Sequence, residues 1–509
     1  MMRKQTLGVI LILSIAVQTF AQNPAAQKFA KKITAEGAKK HLSILASDEF
    51  EGRETGKPGA EKAANYLAAE FKKLGLKAPV NGTYFQDVPL VEKMPEVKSF
   101  TVNSTPMVYG KDFYFFGTPD EKVMSANEVV FLGYGSTAVK NTDVAGKVVL
   151  LIKGKPAEWN QSLKSVQSKE PALILVTSPE IATVLEKNKA YFVNPAGRLS
   201  LKEDKDQPLK TPIVNITVAM ANSVLKNSGK TYETLKTEID NNPTLQTHNI
   251  KAELNINFGT KVKNVKAVNV MGLLEGTDLK SEIVVFSAHY DHIGLTTTGT
   301  DKVNNGADDD GSGTTGVLEI AKAFTEAKKG GKGPRRSILF LCVVGEEKGL
   351  LGSEWYSEHP VFPLQNTITD LNIDMIGRVG EEYKNKADSA NYCYLIGSDK
   401  LSTDLHKISE NANATYTKMK IDYKYNDPKD PNRFYYRSDH YNFAKHGIPI
   451  VFYFNGVHED YHQPGDEVSK INFNLLAKRA QLVFYTGWDL VNRDKRPVVN
   501  VKNDMPADR

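Results

Sequence analysis

Cysteine is almost absent from this sequence. The chain of 509 residues contains two, Cys342 and Cys393, and both stand inside short apolar runs. Two cysteines are too few for a disulfide-stabilised scaffold or for a metal cluster built on thiolates. A single disulfide between them is the alternative, but cysteine also packs readily as a small apolar residue. We therefore expect both thiols to be free and buried.

An excess of either charge is also missing. Lysine and arginine total 65 and aspartate and glutamate total 60, which leaves a formal net charge of +5. The basic residues are scattered without aromatic residues between them, so the sequence predicts no nucleic-acid partner. Apolar residues make up 40% of the chain and charged residues 25%, which is typical of a globular protein rather than a disordered one.

Long apolar runs are lacking after the first twenty residues. The chain begins with Arg3 and Lys4, an apolar run over residues 7–17 and a small-residue cleavage pattern that ends at Ala21, which together are typical of a signal peptide. The apolar run is shorter than the roughly 20 residues that cross a bilayer, which favours a cleaved leader, 1–21, over an uncleaved anchor. The sequence therefore predicts an exported protein, periplasmic or secreted, that has no integral membrane anchor after leader removal.

The length predicts more than one folding unit, because domains usually contain about 100 to 200 residues. Residues 106–240 have short β-rich runs between glycines and prolines, and we expect them to form a non-catalytic insert. Residues 22–105 and 241–509 are then the N-terminal part and the main part of a catalytic domain. In the main part, near-continuous apolar runs alternate with helical patterns. This predicts an α/β fold with a doubly wound, mostly parallel sheet and helices on both faces.

Polar residues follow the apolar runs of the catalytic part. Taken singly they are weak signals, since a histidine at a strand end is usually a satisfied polar residue and an aspartate run before a helix is usually a cap. Together they bring imidazoles and carboxylates to one sheet edge, where open α/β folds place their sites, and this set suits zinc. The residues are His289, Asp291 and His292; Asp308, Asp309 and Asp310; Glu346 and Glu347; Asp374; and His458, Tyr461 and His462.

The number of candidate ligands favours two zinc ions in each chain, with Asp309 as a bridge. Each ion then has three protein ligands and one open position, which is the arrangement of a catalytic rather than a structural zinc. One zinc takes His289, Asp309 and Asp374, and the other takes Asp309, Glu347 and His462.

These segments resemble the secreted dizinc aminopeptidase family, the co-catalytic zinc exopeptidases that often carry an inserted protease-associated domain. The similarity covers most of residues 265–489, and every expected ligand position is filled. The segment LSILASDEFEGRETG also resembles the family, whereas the insert resembles the protease-associated domain less sharply. The matching segments of the catalytic part are VVFSAHYDHIG, NNGADDDGSGTTGVLE, ILFLCVVGEEKGLLGS, LNIDMIGR, YYRSDHYNFAKHGIPIVFY and HEDYHQPGDE.

The resemblance implies roles for further residues. Glu346, which stands beside a ligand and is not needed as one, would be the general base. Asp291, two residues beyond His289 and so on the same side of the strand, would hold the ligand ring. Tyr461 would stabilise the oxyanion, with a packed tyrosine as the alternative. The peptide bond between Asp309 and Asp310 would be cis. A second group would lie beside the site without binding metal: Arg437, Ser438, Asp439, His440, His292 and His458.

The expected function is hydrolysis of a peptide bond near the end of a peptide or protein chain, through a zinc-bound hydroxide and a glutamate base. An aminopeptidase is favoured, because the acidic site offers acceptors for an α-ammonium group and the resemblance implies the same recognition. A carboxypeptidase of the glutamate carboxypeptidase kind stays open, with Arg437 as the only cationic candidate in the motifs. A glutaminyl cyclase would resemble a one-zinc variant, and a non-catalytic binding module would have lost ligands. Both are less favoured.

Overall fold

The computed structural model describes residues 22–115, 121–135, 142–193, 197–203, 211–242 and 248–505. The predicted leader, residues 1–21, lies outside these residues. The chain divides into two compact units, a larger one of Met1–Val88 and Lys266–Arg509 and a smaller one of Pro89–Val265. The smaller unit extends beyond the expected insert of 106–240 at both ends, because the flanking residues carry long strands that pair within it.

Strands and helices alternate along most of the described chain, and short 3₁₀ turns join several of them. The strands are β1 (Phe85–Val102), β2 (Thr105–Pro106), β3 (Phe113–Tyr114), β4 (Lys122–Phe131), β5 (Val148–Ile152), β6 (Leu173–Thr177), β7 (Arg198–Leu201), β8 (Ile213–Ile216), β9 (His248–Leu274), β10 (Leu279–His289), β11 (Arg336–Val343), β12 (Thr367–Ile373), β13 (Tyr392–Ile396), β14 (Lys420–Asp422) and β15 (Ile450–Phe454). The helices are α1 (Pro24–Ala30), α2 (Ala35–Leu45), α3 (Pro58–Leu74), α4 (Pro156–Gln167), α5 (Glu180–Lys187), α6 (Lys189–Val193), α7 (Val218–Leu225), α8 (Tyr232–Asn241), α9 (Gly313–Lys329), α10 (Leu351–Glu358), α11 (Thr403–Ala412), α12 (His440–Ala444) and α13 (Phe473–Asn492).

The larger unit is built on a mostly parallel sheet with the strand order β14–β13–β15–β12–β10–β11–β9. Strand β10 is parallel to β11 and β12, β12 is parallel to β15, and β13 is parallel to β14. Two pairs are antiparallel, β13 with β15 and β11 with the last residues of β9. Strands β11, β12 and β15 are buried over their whole length, which explains their continuous apolar sequences.

Helices cover this sheet on both faces. Neighbouring residues of a strand point to opposite faces of the sheet. On one face, Val285 of β10 belongs to a buried cluster with Tyr356 of α10 and Phe443 of α12. The next residue, Phe286, faces Phe324 of α9 with the ring centroids 5.7 Å apart. Helix α13 packs against α9 on that second side. The predicted α/β fold with a doubly covered sheet is therefore confirmed.

The strands of the smaller unit are hydrogen-bonded in the order β9–β4–β5–β6–β8–β3, and β1 pairs with β2, β7 and β9. Strands β4, β5, β6 and β8 are parallel, and β3 and the first part of β9 are antiparallel to their neighbours. Parallel strands need crossover connections, which are usually helices, and this unit contains α4 to α8. The expected β-rich insert is thus an α/β unit. Its helices were missed because a segment such as PAEWNQSLKSVQ is mostly polar, with Trp159, Leu163 and Val166 as its large apolar residues.

The structure also bears on the two cysteines and on membrane-spanning helices. Cys342 in β11 and Cys393 in β13 are free and buried, as predicted. Within the described ranges, no helix combines the length and the apolar character that a membrane span requires.

Candidate metal centre and active site

The predicted metal ligands follow the carboxyl ends of parallel strands in the larger unit. His289 is the last residue of β10, Asp374 follows β12 directly, and Glu347 lies in the loop after β11. His462 lies in the loop after β15, and Asp309 in the loop that leads into α9. Because parallel strands end at the same edge of a sheet, these side chains meet there.

Asp309 lies between two groups of candidate ligands. Its Oδ1 is 3.4 Å from Nε2 of His289, and Oδ2 of Asp374 is 3.7 Å from the same nitrogen. Its Oδ2 is 3.1 Å from Nε2 of His462, which is also 3.1 Å from Oε2 of Glu347. The structure brings the five predicted ligands together, with one oxygen of Asp309 directed to His289 and the other to His462. Asp310 also lies within ligand distance of His289 and Asp374, and His292 within ligand distance of Asp309 and Glu347.

The spacing of these atoms fits two tetrahedral metal sites. Zinc bonds of about 2.0 to 2.2 Å at tetrahedral angles separate two ligand atoms by about 3.3 to 3.6 Å, close to the observed 3.1 to 3.7 Å. Nε2 of His462 and Oδ2 of Asp309 are buried, and neither is aligned for a hydrogen bond within the described part of the chain. Buried polar atoms normally have partners, and a metal ion between these two would satisfy both.

Asp310 competes with Asp309 as a ligand of the first group, because its carboxylate lies within 4.8 Å of ligand atoms of His289 and Asp374. Its Oδ1 accepts hydrogen bonds from the backbone N–H of Gly313 at 2.8 Å and of Met375 at 3.1 Å, whereas its Oδ2 is buried without a hydrogen-bond partner in the described residues. Asp309 is the better placed bridging ligand, because its two oxygens lie next to His289 and His462, one in each group. The peptide bond between Asp309 and Asp310 is cis, as predicted.

The contact of Asp291 with His289 differs from the expected one. Nδ1 of His289 lies 3.0 Å from the carbonyl oxygen of Asp291, whereas Oδ1 of the Asp291 carboxylate lies 3.9 Å from the same nitrogen. Strand β10 ends at His289, so the alternation of a strand no longer directs the side chain of Asp291. That carboxylate instead accepts hydrogen bonds from Oγ1 of Thr55 at 2.6 Å and the backbone N–H of Glu346 at 3.2 Å.

The electrostatic environment distinguishes the bridge from the candidate base. Burial acts to raise the pKa of the Asp309 carboxyl, but the neighbouring imidazoles, led by His289, hold this pKa well below its usual value. Burial raises the pKa of Glu346 well above its usual value, and the charge of Glu347 adds to the effect although His289 opposes it. A raised pKa makes this carboxylate a stronger proton acceptor than an ordinary glutamate, which suits a general base.

Residues 437–440 lie beside the site, as predicted. Ser438 donates a hydrogen bond to Oδ2 of Asp374 at 2.6 Å and so orients a candidate ligand. Nε2 of His440 lies 2.8 Å from the carbonyl oxygen of Tyr435. Burial lowers the pKa of His440 to about 3, so the ring is neutral. Because a carbonyl oxygen only accepts hydrogen bonds, Nε2 of His440 is the donor. His440 therefore braces the loop that contains Tyr435.

Asp466 holds the Asp309 loop, although the sequence analysis did not single it out. Its Oδ2 accepts hydrogen bonds from the backbone N–H groups of Asp308 and Asp309, each at 3.0 Å. Nε2 of His458 lies 3.2 Å from Oδ2 of Asp308, so this surplus histidine supports the same loop. The carboxylate of Asp466 therefore fixes the backbone from which the proposed bridging side chain projects.

Arg53 is a second residue that sequence reasoning missed. Its side chain is buried and donates to the carbonyl oxygens of Tyr290 and Gly306, each at 2.8 Å. Tyr290 follows His289, and Gly306 precedes the Asp309 loop, so one guanidinium joins the backbones of two ligand segments. The quoted motif LSILASDEFEGRETG contains Arg53, but a local sequence gives no sign of contacts more than 200 residues away.

A cleft of about 590 Å³ opens beside the candidate ligands. Tyr394, Tyr425 and Phe434 form an aromatic wall, and Arg437 and Tyr461 line both this cleft and a smaller cavity at the ligands. Nη2 of Arg437 donates to the hydroxyl oxygen of Tyr461 at 3.1 Å. Burial raises the pKa of the Tyr461 phenol. Since arginine has no acceptor, the phenol keeps its own proton available to a substrate.

Comparisons with known proteins show what this chain is similar to. Residues 269–487 match the model of Peptidase family M28. Aminopeptidase YwaD of Bacillus subtilis is 25% identical over 260 residues, which are 48% of this chain and 49% of that protein. A probable leucine aminopeptidase 2 of Aspergillus oryzae is 24% identical over 444 residues, which are 81% of this chain and 74% of that protein.

One solved structure shares the fold over nearly the full chain. An aminopeptidase from Aneurinibacillus sp. strain AM-1 matches with a TM-score of 0.52 and 20% identity, and the match covers 95% of this chain and 98% of that one. By sequence, the chain spans about half the length of the Bacillus relative.

The role of Asp466 can be tested by metal binding. We expect Asp466→Ala to weaken zinc binding by about 10- to 100-fold, because outer contacts that orient ligands contribute that much affinity. Asp460→Ala is the matched control, since Asp460 also contacts Arg378 but does not bond the Asp309 loop. Equilibrium dialysis with elemental analysis measures both. Equal zinc affinities in the two variants would contradict the role of Asp466.

Proposed function

We propose that the chain is a zinc-dependent aminopeptidase that releases residues from the free amino ends of peptides, because residues 269–487 match the model of Peptidase family M28. The observation that carries the proposal is the position of Asp309, with Oδ1 directed to His289 and Oδ2 to His462. Two relatives with aminopeptidase in their names support the choice.

We propose two zinc ions in each chain, since the donor atoms form two groups that share one carboxylate. Imidazole and carboxylate donors suit zinc. Bound zinc polarises a carbonyl group and lowers the pKa of a water molecule. The first group is His289, Asp309 and Asp374, and the second is Asp309, Glu347 and His462.

The residues around the two groups supply the proton transfers. Oε2 of Glu346 lies 3.8 Å from Nε2 of His289, beside the first group. In the proposed mechanism Glu346 takes a proton from the attacking water and returns it to the leaving amine. Tyr461 donates a hydrogen bond from its phenol to the developing oxyanion. Asp291 orients His289 through its backbone carbonyl.

The charge of the site favours recognition of an amino terminus. Glu346 and Asp374 present carboxylates next to His289, and these are natural acceptors for an α-ammonium group. A carboxypeptidase would need a cationic group for the terminal carboxylate. Arg437, the candidate from the motifs, lies 4.8 Å from the ring centroid of Phe434 and donates to Tyr461. These contacts give Arg437 a role in shaping the cleft, so the aminopeptidase remains favoured.

The remaining parts of the chain have proposed roles outside the chemistry. We propose that the smaller unit acts as a protease-associated-like insert and supplies no metal ligand. The five candidate ligands all lie in the larger unit, which supports this assignment. We also propose that the protein is exported to the periplasm or beyond after loss of residues 1–21, on the basis of the leader pattern.

The direction of cleavage is testable with three matched peptides of one sequence: free, amino-acetylated and carboxyl-amidated. The zinc-loaded protein should shorten the free and the amidated peptide from the amino end. It should leave the acetylated peptide intact, because acetylation removes the α-ammonium charge. Mass spectrometry of the products identifies the end that is cleaved, and metal-free protein serves as the blank. Cleavage of the acetylated peptide but not of the amidated one would favour the carboxypeptidase instead.

The role of Glu346 is tested by Glu346→Gln. The variant should bind zinc like the unmodified chain but lose kcat by roughly 10²- to 10⁴-fold, because a carboxamide cannot accept the proton of water. Glu358→Gln, at an exposed acid of α10, is the matched control and should keep full activity. Steady-state kinetics and elemental analysis are measured on the same samples. Near-normal turnover by zinc-loaded Glu346→Gln would contradict the assignment.

A further inference from the structure

His292 is buried against the second group of candidate ligands, although the ligand count does not need it. Its side chain has no exposed surface. Nδ1 lies 2.7 Å from Oε1 of Glu347 and 3.8 Å from Oδ2 of Asp309. Nε2 is buried and has no hydrogen-bond partner within the described residues. The only close polar contact of the ring is therefore with a candidate metal ligand.

The two carboxylate oxygens of Glu347 face different partners. Oε1 faces Nδ1 of His292 at 2.7 Å, and Oε2 faces Nε2 of His462 at 3.1 Å. An ionised carboxylate only accepts hydrogen bonds, so Nδ1 of His292 is the donor. With Oε1 held in this bond, Oε2 is the oxygen that remains for a metal.

The surrounding backbone holds the ring of His292 in place. Gly306 has a φ of +53°, and a Cβ there would lie 2.5 Å from Cδ2 of His292 and 2.2 Å from the carbonyl oxygen of Asp309. Only glycine fits between this ring and the Asp309 loop. The backbone N–H of His292 donates to the carbonyl oxygen of Arg53 at 3.2 Å, and Arg53 donates to the carbonyl oxygen of Gly306. The ring is therefore fixed from two sides.

We propose that His292 is a positioning residue, whose Nδ1–H bond to Oε1 of Glu347 leaves Oε2 as the single oxygen that binds the second metal. The proposal rests on the two-metal site described above. It predicts that loss of the Nδ1 donor weakens the second metal selectively, because the 2.7 Å contact of His292 is with Glu347, which belongs to the second group alone.

Three variants distinguish the effect of the Nδ1 donor of His292 from the effect of the bulk of its ring. The amide nitrogen of His292→Asn reaches the place of Nδ1, that of His292→Gln reaches the place of Nε2, and His292→Leu has no donor. Stepwise zinc affinities are measured by competition with a chelator and by elemental analysis. Cobalt-substituted samples report the geometry of each site by visible absorption. Thermal unfolding of the metal-free variants shows whether the fold is kept.

The unmodified chain should bind two zinc ions. His292→Leu and His292→Gln should bind one of them about 10- to 100-fold more weakly and the other unchanged, and cobalt absorption should change at one site. His292→Asn should restore most of the affinity, which a merely structural ring would not allow. If His292→Leu fails to fold, the comparison of His292→Asn with His292→Gln gives the same test.

Two results would overturn the proposal. If the unmodified chain binds two zinc ions and the variants bind them equally well, His292 does not position Glu347, while the two-metal site stands. If His292→Asn and His292→Gln weaken the binding of both zinc ions to the same extent, the ring only supports the fold. A chain that binds a single zinc ion would contradict the two-metal site itself and, with it, the role of His292.

Discussion

Buried negative charge is the constraint on which the arrangement of the site depends. Asp291, Asp308, Asp309 and Asp310 are each no more than 3% exposed, and they lie in neighbouring loops at one sheet edge. Burial of an ionised carboxylate without partners costs several kcal/mol, and adjacent carboxylates raise one another's pKa. The site is therefore stable only where cations, imidazoles or N–H groups face these oxygens. Two zinc ions would supply the largest part of this compensation.

The remaining carboxylates are held by groups of the chain itself. Asp310 accepts two backbone N–H groups, and Asp466 accepts two more from the loop that carries Asp309. Arg53 adds a buried positive charge that bonds only to backbone carbonyl oxygens. Such contacts fix ligand backbones before a metal arrives, so binding requires little rearrangement. His292 fits the same pattern, since it holds one oxygen of a candidate ligand in place.

The sequence was sufficient to predict the sheet of the larger unit and the edge of that sheet at which the candidate ligands meet. Strands β11, β12 and β15 have continuous apolar sequences because both faces are covered. The polar residues after them must meet, because parallel strands end at one edge. The contact of Asp291 was predicted wrongly, since the period of a strand does not continue past its last residue, His289. Arg53 and Asp466 act on loops far away in sequence, which no local pattern reveals.

The central claim is that Asp309 bridges two metal ions, and crystals grown with zinc test it most directly. Anomalous diffraction at the zinc edge should show two peaks about 3.5 to 4 Å apart, one on each side of the Asp309 carboxylate. The first should lie next to His289 and the second next to His462. A single peak, or two peaks bridged by Asp310 instead of Asp309, would contradict the account.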